Sequence, residues 1–258
     1  MKLLRKNEKK AQKKNFGHSF ILMEIIDRLF YTIAVVPIMV FILWPITALF
    51  LKSIFPEGEF TLRLYGSLFG ENIPVIINSI WVCLLSTTLS VIIGTVIAVY
   101  VAYASKWVKR ILMLLLMLTM ISPPFLSSLS YILLFGKRGI ITADLLHLNF
   151  NPYGWHGIVI MQTFSEISLA ALILTGGLSA IPSSVIEAGK DLGSKSGDIL
   201  YRIIVPMLKS SIVAVYFIIF VKNIADFGTP IIVGGNFRML ATEAYKGVIS
   251  YGEIEKAA

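Results

Sequence analysis

Three long runs without a charged residue constrain this chain more than any other feature of its sequence. Residues 29–51, 73–104 and 111–135 contain no Asp, Glu, Lys or Arg. Each run is longer than the roughly 20 residues that a helix needs to cross about 30 Å of hydrocarbon. A helix on the surface of a soluble domain would present a polar face to water, and these runs have none. The sequence therefore predicts an all-α fold, a polytopic transmembrane helical bundle.

Two weaker spans follow the three uncharged runs. Residues 157–178 carry one charge, Glu166, and residues 203–225 are free of charge only from Ser210 to Val221. The second stretch is long enough to span only if Lys209 and Lys222 extend their ammonium groups toward the two membrane interfaces. We therefore predict five spans.

The basic residues are distributed unevenly along the chain. Eight of the 23 Lys and Arg residues lie in residues 1–28, where they form a leader suited to anionic lipid headgroups. With the N-terminus in the cytoplasm, fifteen basic residues fall on inner segments and seven on outer segments, as the positive-inside rule requires. The inner loops are then residues 105–110 and 179–208, and the outer segments are residues 52–72, 136–156 and 226–258.

The longest inner loop carries the start and stop signals of a short helix. Pro182 bars a helix upstream, and Ser184 with Glu187 forms a capping-box pattern. The helix is expected to run to about Leu192, with Gly193 as a left-handed C-cap, and a second helix is expected from about Ser196 into the fifth span. Such a helix–turn–helix suits docking into another protein, although spacing alone equally fits an amphipathic connector.

The same loop resembles the EAA motif of ABC-importer permeases, in which Glu-Ala-Ala is followed by Gly and then by Ile-x-Leu-Pro. The matching positions are Glu187, Ala188, Gly189, Gly193, Ile203, Val205 and Pro206. Gly189 replaces an Ala and Val205 replaces a Leu of the motif. The resemblance implies that an ATPase couples to the chain through Ser184, Glu187, Ala188, Gly189, Asp191, Gly193 and Pro206.

Further segments resemble the same family over about residues 73–258. Asn78-Ser79 is similar to the pair that opens the core of type I importers, and Ser122-Pro123-Pro124-Phe125 is similar to the ferric-iron and polyamine branch. Asp226-Phe227-Gly228-Thr229-Pro230 most resembles the ferric-iron branch. The resemblance implies a bacterial inner-membrane permease that works with a cytoplasmic ATPase dimer, a periplasmic or lipoprotein solute-binding protein and a second permease half, fused or separate.

The family's core has six spans, so the resemblance implies that one is missing here. We expect the chain to be the N-terminal half of a fused permease, or a clipped single-core subunit. Its expected domains are a basic cytoplasmic tail (1–28), a first transmembrane helix with an outer segment (29–72) and an incomplete permease core (73–258) that contains the coupling loop (181–206).

Several residues within or beside the spans are candidates for the translocation path or its gate. They are Asn78, Ser79, Pro123, Pro124, Glu166, Asp226, Phe227 and Gly228. Intramembrane acids usually face the bundle interior and are usually functional, although Glu166 could equally be a protonated or interhelical hydrogen-bonding residue. The two prolines fit either a path-lining break or a simple kink. Lys222 and Asp226 are four residues apart, which suits an ion pair at the outer interface.

Other functions find little support in the sequence. The chain has no P-loop, so we expect ATP and Mg²⁺ to bind the partner ATPase and no cofactor to bind this chain. His18, His147 and His156 do not have metal-ligand spacing, and no catalytic set is apparent. A secondary transporter or channel remains an alternative, but no internal repeat supports it. The favoured substrate is ferric iron, with phosphonate, thiamine and polyamine as alternatives.

Overall fold

The computed structural model describes residues 24, 26–55, 60–61, 66, 70, 72–121, 123–145, 147 and 151–251. These residues form helices and connecting segments, with no strand among them. The described residues fall into two compact units, the first with residues up to 61 and the second with residues from 66 to 251. The all-α prediction is confirmed.

The first unit contains one long helix, α1 (Ile26–Ile54). It has a π-helical turn at Met39–Leu43, after which the Trp44 N–H donates to the Met39 carbonyl five residues earlier. The next residue, Pro45, has no N–H of its own, so the wider turn leaves its ring room within the helix. At 29 residues the helix is long and apolar enough to cross a membrane.

The second unit contains eight helices within the described residues. They are α2 (Ile73–Tyr103), α3 (Lys106–Ile121), α4 (Pro124–Phe135), α5 (Trp155–Ser179), α6 (Ser183–Asp191), α7 (Ser196–Ala225), α8 (Gly228–Val233) and α9 (Leu240–Tyr251). Two π-helical segments accompany them, one at Ile140–Leu145 and one at Leu200–Ile204 within α7. The second helix of the loop therefore begins at Ser196, as predicted, and continues directly into the fifth span.

Helices α2 and α5 pack side by side and run parallel. The rings of Trp81 and Trp155 lie 5.1 Å apart, Ser86 donates to Gln162, and Gly94 lies against Ala170 further along. The offset between partners is nearly constant, which is the register of a parallel pair. A Cβ on Gly94 would clash with the Ala170 Cβ, so glycine is what lets the two helices approach.

Because α2 and α5 are parallel, the chain between them has to cross the bundle once in the opposite direction. Helices α3 and α4 make that crossing, from Lys109 beside Ser179 to Phe135 packed near Met161. Within the predicted span 111–135, α3 and the helical stretch after it are bent by 103°, at the place where the two prolines predicted a break or a kink. Pro123 has an extended backbone, and two consecutive prolines remove the N–H donors that would continue the helix.

The segment after α7 packs back against α2 and α5. Asn223 and Asp226 bond Gln162, seven residues into α5. Helix α8 then returns toward the start of α5, where the Gly154 N–H donates to the Val233 carbonyl at 2.9 Å. Helix α9 begins beside Ser79 and stacks Tyr245 on Phe227 at 4.5 Å, so it runs back along the bundle toward the end of α7.

Candidate functional site

A polar cleft of about 340 Å³ opens between the α3–α4 bend, α5 and the end of α7. It lies halfway along α5. Nine of its lining residues are polar or charged: Thr119, Ser127, Gln162, Ser165, Glu166, Lys222, Asn223, Asp226 and Thr229. Such a cavity can hold a small hydrated or polar solute.

Glu166 and Lys222 form an ion pair across the cleft wall. The Lys222 Nζ lies 2.8 Å from Oε1 and 2.9 Å from Oε2 of Glu166. Glu166 is 7% exposed, so its carboxylate depends on this lysine for compensation. The predicted Lys222–Asp226 ion pair is wrong: of the residues that the structure describes, only Glu166 pairs with Lys222. The Lys222 ammonium lies against the middle of α5.

A buried hydrogen-bond network fixes the other side of the cleft. The Asn223 side chain donates to the Ser86 hydroxyl at 3.2 Å and to the Thr87 hydroxyl at 3.1 Å. Ser86 donates to the Gln162 carbonyl oxygen, and the Gln162 amide donates to the Asn223 backbone carbonyl at 3.1 Å. These side chains come from α2, α5 and α7, so one network holds three helices in a single arrangement.

Asp226 lies at the mouth of the same network. Its Oδ1 accepts the Thr229 N–H at 3.1 Å, which stabilises the start of α8. Its Oδ2 accepts a 3.4 Å hydrogen bond from the Gln162 amide. The carboxylate lines the cleft and forms no ion pair within 4 Å with a described cation, so the formal charges of Glu166, Lys222 and Asp226 sum to one negative charge.

Two other predicted residues, Asn78 and Ser79, lie away from the cleft near the start of α2. The Ser79 hydroxyl accepts the Leu240 N–H at 2.7 Å and donates to the Val75 carbonyl. The Asn78 amide donates to the Arg238 carbonyl at 3.4 Å. These bonds attach the start of α9 to α2.

The remaining predicted path residues occupy turns. Pro123 is exposed at the bend before α4, and Pro124 is the first residue of that helix. Phe227 stacks on Tyr245, and Gly228 begins α8. Of the eight predicted residues, the structure brings together only Glu166 and Asp226 in the cleft.

Helix α6 of the inner loop is a second candidate site. One face presents Ser184, Glu187, Ala188 and Asp191, all exposed and spaced along a single stripe. The opposite face carries Ile186 and the buried Gly189, which pack on a cluster around Ile199, Ile204 and Leu208. We call the exposed set the coupling stripe.

The two ends of α6 differ from each other. The predicted cap at Ser184 is wrong, because the helix begins at Ser183 after Pro182 and has no side-chain cap hydrogen bond. Proline fixes a helix-compatible φ just outside the first turn and makes such a cap dispensable. The predicted end is present: Gly193 has φ +78°, its N–H donates to the Lys190 carbonyl, and Ser194 donates to the Gly189 carbonyl.

Gly189 and Pro206 have packing roles beside the stripe. Gly189 packs against the side chains of Ile203 and Ile199, where a Cβ would lie 2.8 Å from the Ile203 Cδ1 and would require that side chain to move. Pro206 is in the first turn of the α-helical segment Val205–Ala225, directly after the π-helical segment.

Sequence reasoning missed most of the cleft. In the sequence Gln162 stands out only as a polar neighbour of Glu166, and Thr119, Ser127, Asn223 and Thr229 do not stand out as site residues, because they meet in the cleft only across helices. One signal was available: Ser79, Ser86, Ser90 and Gly94 follow one another at helical spacing along α2, and all are buried. A stripe of small and polar residues in an uncharged helix indicates the face that packs inside a bundle.

Among the described residues, no group of three or more His, Cys, Asp and Glu side chains could hold a metal ion. What the cleft offers a solute is the set of charges and hydrogen-bonding groups on its wall.

Comparison with known proteins gives one family and one fold. Residues 90–250 match the family described as "Binding-protein-dependent transport system inner membrane component". The ferric transport system permease protein FbpB of Actinobacillus pleuropneumoniae is 30% identical over 80% of this chain and 31% of its own length. The thiamine transport system permease protein ThiP of Salmonella typhimurium is 27% identical over 61% of this chain and 30% of its own length. The chain thus spans about a third of the length of these relatives.

Among solved structures, a chain of a bacterial alginate ABC transporter in complex with its alginate-bound periplasmic protein has the same fold. The TM-score is 0.73 at 13% identity, with 90% of this chain and 86% of that chain covered.

Proposed function

We propose, from the premise that this chain belongs to the family of binding-protein-dependent transport system inner membrane components, that it forms the translocation path of an ATP-driven importer. The observation that carries the proposal is the inner loop, where a formed helix presents the coupling stripe at the motif positions. The chain is a multi-pass inner-membrane protein, and the excess of basic residues on its inner segments supports a cytoplasmic N-terminus.

In this proposal a cytoplasmic ATPase subunit docks on the coupling stripe. The buried face of α6 packs on α7. A displacement of the coupling stripe is therefore transmitted to the fifth span through the contact between Gly189 and Ile203. To move a pore from about 1% to 99% in one orientation, ATP has to favour that orientation by about 5.5 kcal/mol. Glu187 and Asp191 offer charges and Ala188 offers a flat surface for that contact.

Docking can be tested by co-purification with the partner ATPase. Ala188→Arg puts a long cation in the middle of the coupling stripe, and we expect the ATPase to be lost while the chain remains folded. Gly197→Arg is the matched control, because Gly197 is exposed with nothing within 4 Å of its Cβ position and lies outside the stripe. Equal retention of the ATPase by both variants would contradict the docking site.

The cleft is proposed to be part of the path that alternates between the two faces of the membrane. A soluble binding protein would deliver the solute, and a second permease half would supply the facing wall. The support is the depth of the cleft, its polar lining and its contact with both the α3–α4 bend and the α7–α8 break. Non-helical backbone at membrane depth is tolerated where it lines a cavity.

The proposed substrate is ferric iron, supported by the 30% identity to a ferric transport permease and by the Asp226–Pro230 segment. Thiamine is the second candidate because of the thiamine permease relative. The complete transporter in liposomes is expected to hydrolyse ATP faster with iron-loaded than with iron-free binding protein. Stimulation by a thiamine-loaded binding protein instead would reassign the substrate.

A further inference from the structure

The Glu166–Lys222 pair is unlike the other ion pairs of the described residues, because it lies on the wall of a cavity inside the bundle. Its two ends differ in access: the Glu166 side chain is 10% exposed and the Lys222 side chain is 52% exposed. The carboxylate is buried in the wall, whereas the Lys222 side chain is half exposed and lines the cleft.

The pair is not needed to join the helices that carry it. Helices α5 and α7 already meet through the apolar cluster of Ala170, Leu174, Val215 and Ile219. They also share the Gln162–Asn223 hydrogen bond one turn away. A function in the cleft, rather than in helix packing, is therefore the better explanation for a charge placed here.

Three charged groups line the cleft: Glu166, Lys222 and Asp226. Lys222 compensates Glu166, and Asp226 remains as one net negative charge. A passage has to attract its solute enough for entry and release it readily enough for exit. One net charge meets both requirements for a small cation, and it repels an anion.

We propose that Lys222 is a specificity-determining residue that acts as the cleft's own counter-cation. By neutralising Glu166 it sets the cleft to one negative charge, so that small cationic solutes enter and leave and anionic solutes are excluded. Without Lys222 two carboxylates would hold a cation too tightly to release it. Without Glu166, the positive charge of Lys222 would neutralise the negative charge of Asp226, and the cleft would lose its preference for cations over anions. This inference rests on the proposal that the cleft is part of the path.

Thiol labelling of the full chain tests the charge of the cleft without any partner or substrate. Ser165→Cys places a thiol on the cleft wall, in a Cys83→Ala background that removes the buried native thiol. The probes are the trimethylammonium-ethyl and sulfonatoethyl methanethiosulfonates, which carry opposite charges. Leu192→Cys, at an 87% exposed position of the loop, gives the reference ratio of the two reagents.

We expect the cationic reagent to be favoured by the cleft thiol of Ser165→Cys relative to the reference. Lys222→Gln should raise the ratio of cationic to anionic rates roughly tenfold, and Glu166→Gln should lower it by a similar factor. The double variant Glu166→Gln with Lys222→Gln should return the ratio to its starting value, and it also serves as the test if Lys222→Gln does not fold.

An unchanged ratio in all variants, or a preference of the cleft thiol for the anionic reagent, would overturn the proposal. Because labelling needs neither ATPase nor binding protein, either result leaves the importer assignment standing. Conversely, failure of the docking or ATPase experiments leaves the charge selectivity of the cleft to be judged by labelling alone.

Discussion

The cleft wall and the inner loop are built in opposite ways. In the cleft wall, Ser86, Gln162 and Asn223 from three helices form one buried network, in which each residue bonds the other two. Helix α6 is nine residues long, exposed on one face, and ended by bonds between Gly189, Lys190, Gly193 and Ser194, all within six residues. Non-local contacts make the first region stable and rigid. Helix α6 is specified by local contacts and is less stable, which suits a segment that binds a partner.

This contrast implies a ranking of substitutions by the free energy of unfolding of the full chain in mixed detergent micelles. Changes in the cleft wall and in the α2–α5 contact should cost the most, because they leave buried groups unsatisfied or overpacked. Changes in α6 should cost less, because their effects remain local.

Asn223→Ala should have the largest effect, about 2 to 3 kcal/mol. It removes both donors to Ser86 and Thr87 and leaves a small cavity between three helices. Asn236→Ala, in the exposed turn after α8, should cost almost nothing. If the two variants lose equal stability, the network is not what makes the cleft wall rigid.

Gly94→Ala should follow at about 1 to 2 kcal/mol. The added methyl group would clash with Ala170 across the closest approach of α2 and α5, and the backbone would have to shift. Gly176→Ala is the matched control in α5, since nothing lies within 4 Å of its Cβ position. There the gain in helix propensity should stabilise the chain by up to about 1 kcal/mol. The expected opposite signs of the two changes in unfolding free energy test whether position 94 requires glycine.

Gly193→Val should cost about 1 kcal/mol, because a β-branched residue is strained at φ +78°. The loss should be confined to α6, so hydrogen exchange should accelerate over residues 184–193 while the amides of α2 and α5 stay protected. In the complete transporter the same variant should hydrolyse ATP without uptake. Gly197→Val is the control for both measurements. Normal uptake by Gly193→Val would show that Gly193 is not required for coupling.

The same contrast explains what the sequence could and could not predict. The spans and the C-terminal end of α6 depend on residues close together in the chain, so the lengths of the uncharged runs and the position of Gly193 were sufficient. The partner of Lys222 was predicted four residues away at Asp226, but the structure places it 56 residues away at Glu166. Spacing within one helix cannot choose between a local carboxylate and one brought in by another helix. The sharp bend at Pro123 was foreseen as a break, but its angle depends on how α4 packs beside α5 and α8.

Ser184→Ala gives the smallest expected effect and tests the one local signal that failed. The capping-box pattern with Glu187 would predict a loss of about 1 kcal/mol on removal of the hydroxyl. In the structure the helix already begins at Ser183 after Pro182, and Ser184 is exposed within the first turn without a cap hydrogen bond. We therefore expect a change below about 0.5 kcal/mol, with Ser183→Ala as the neighbouring control. A loss near 1 kcal/mol for Ser184→Ala alone would restore the capping box, and it would mean that α6 is held at both ends rather than only at Gly193.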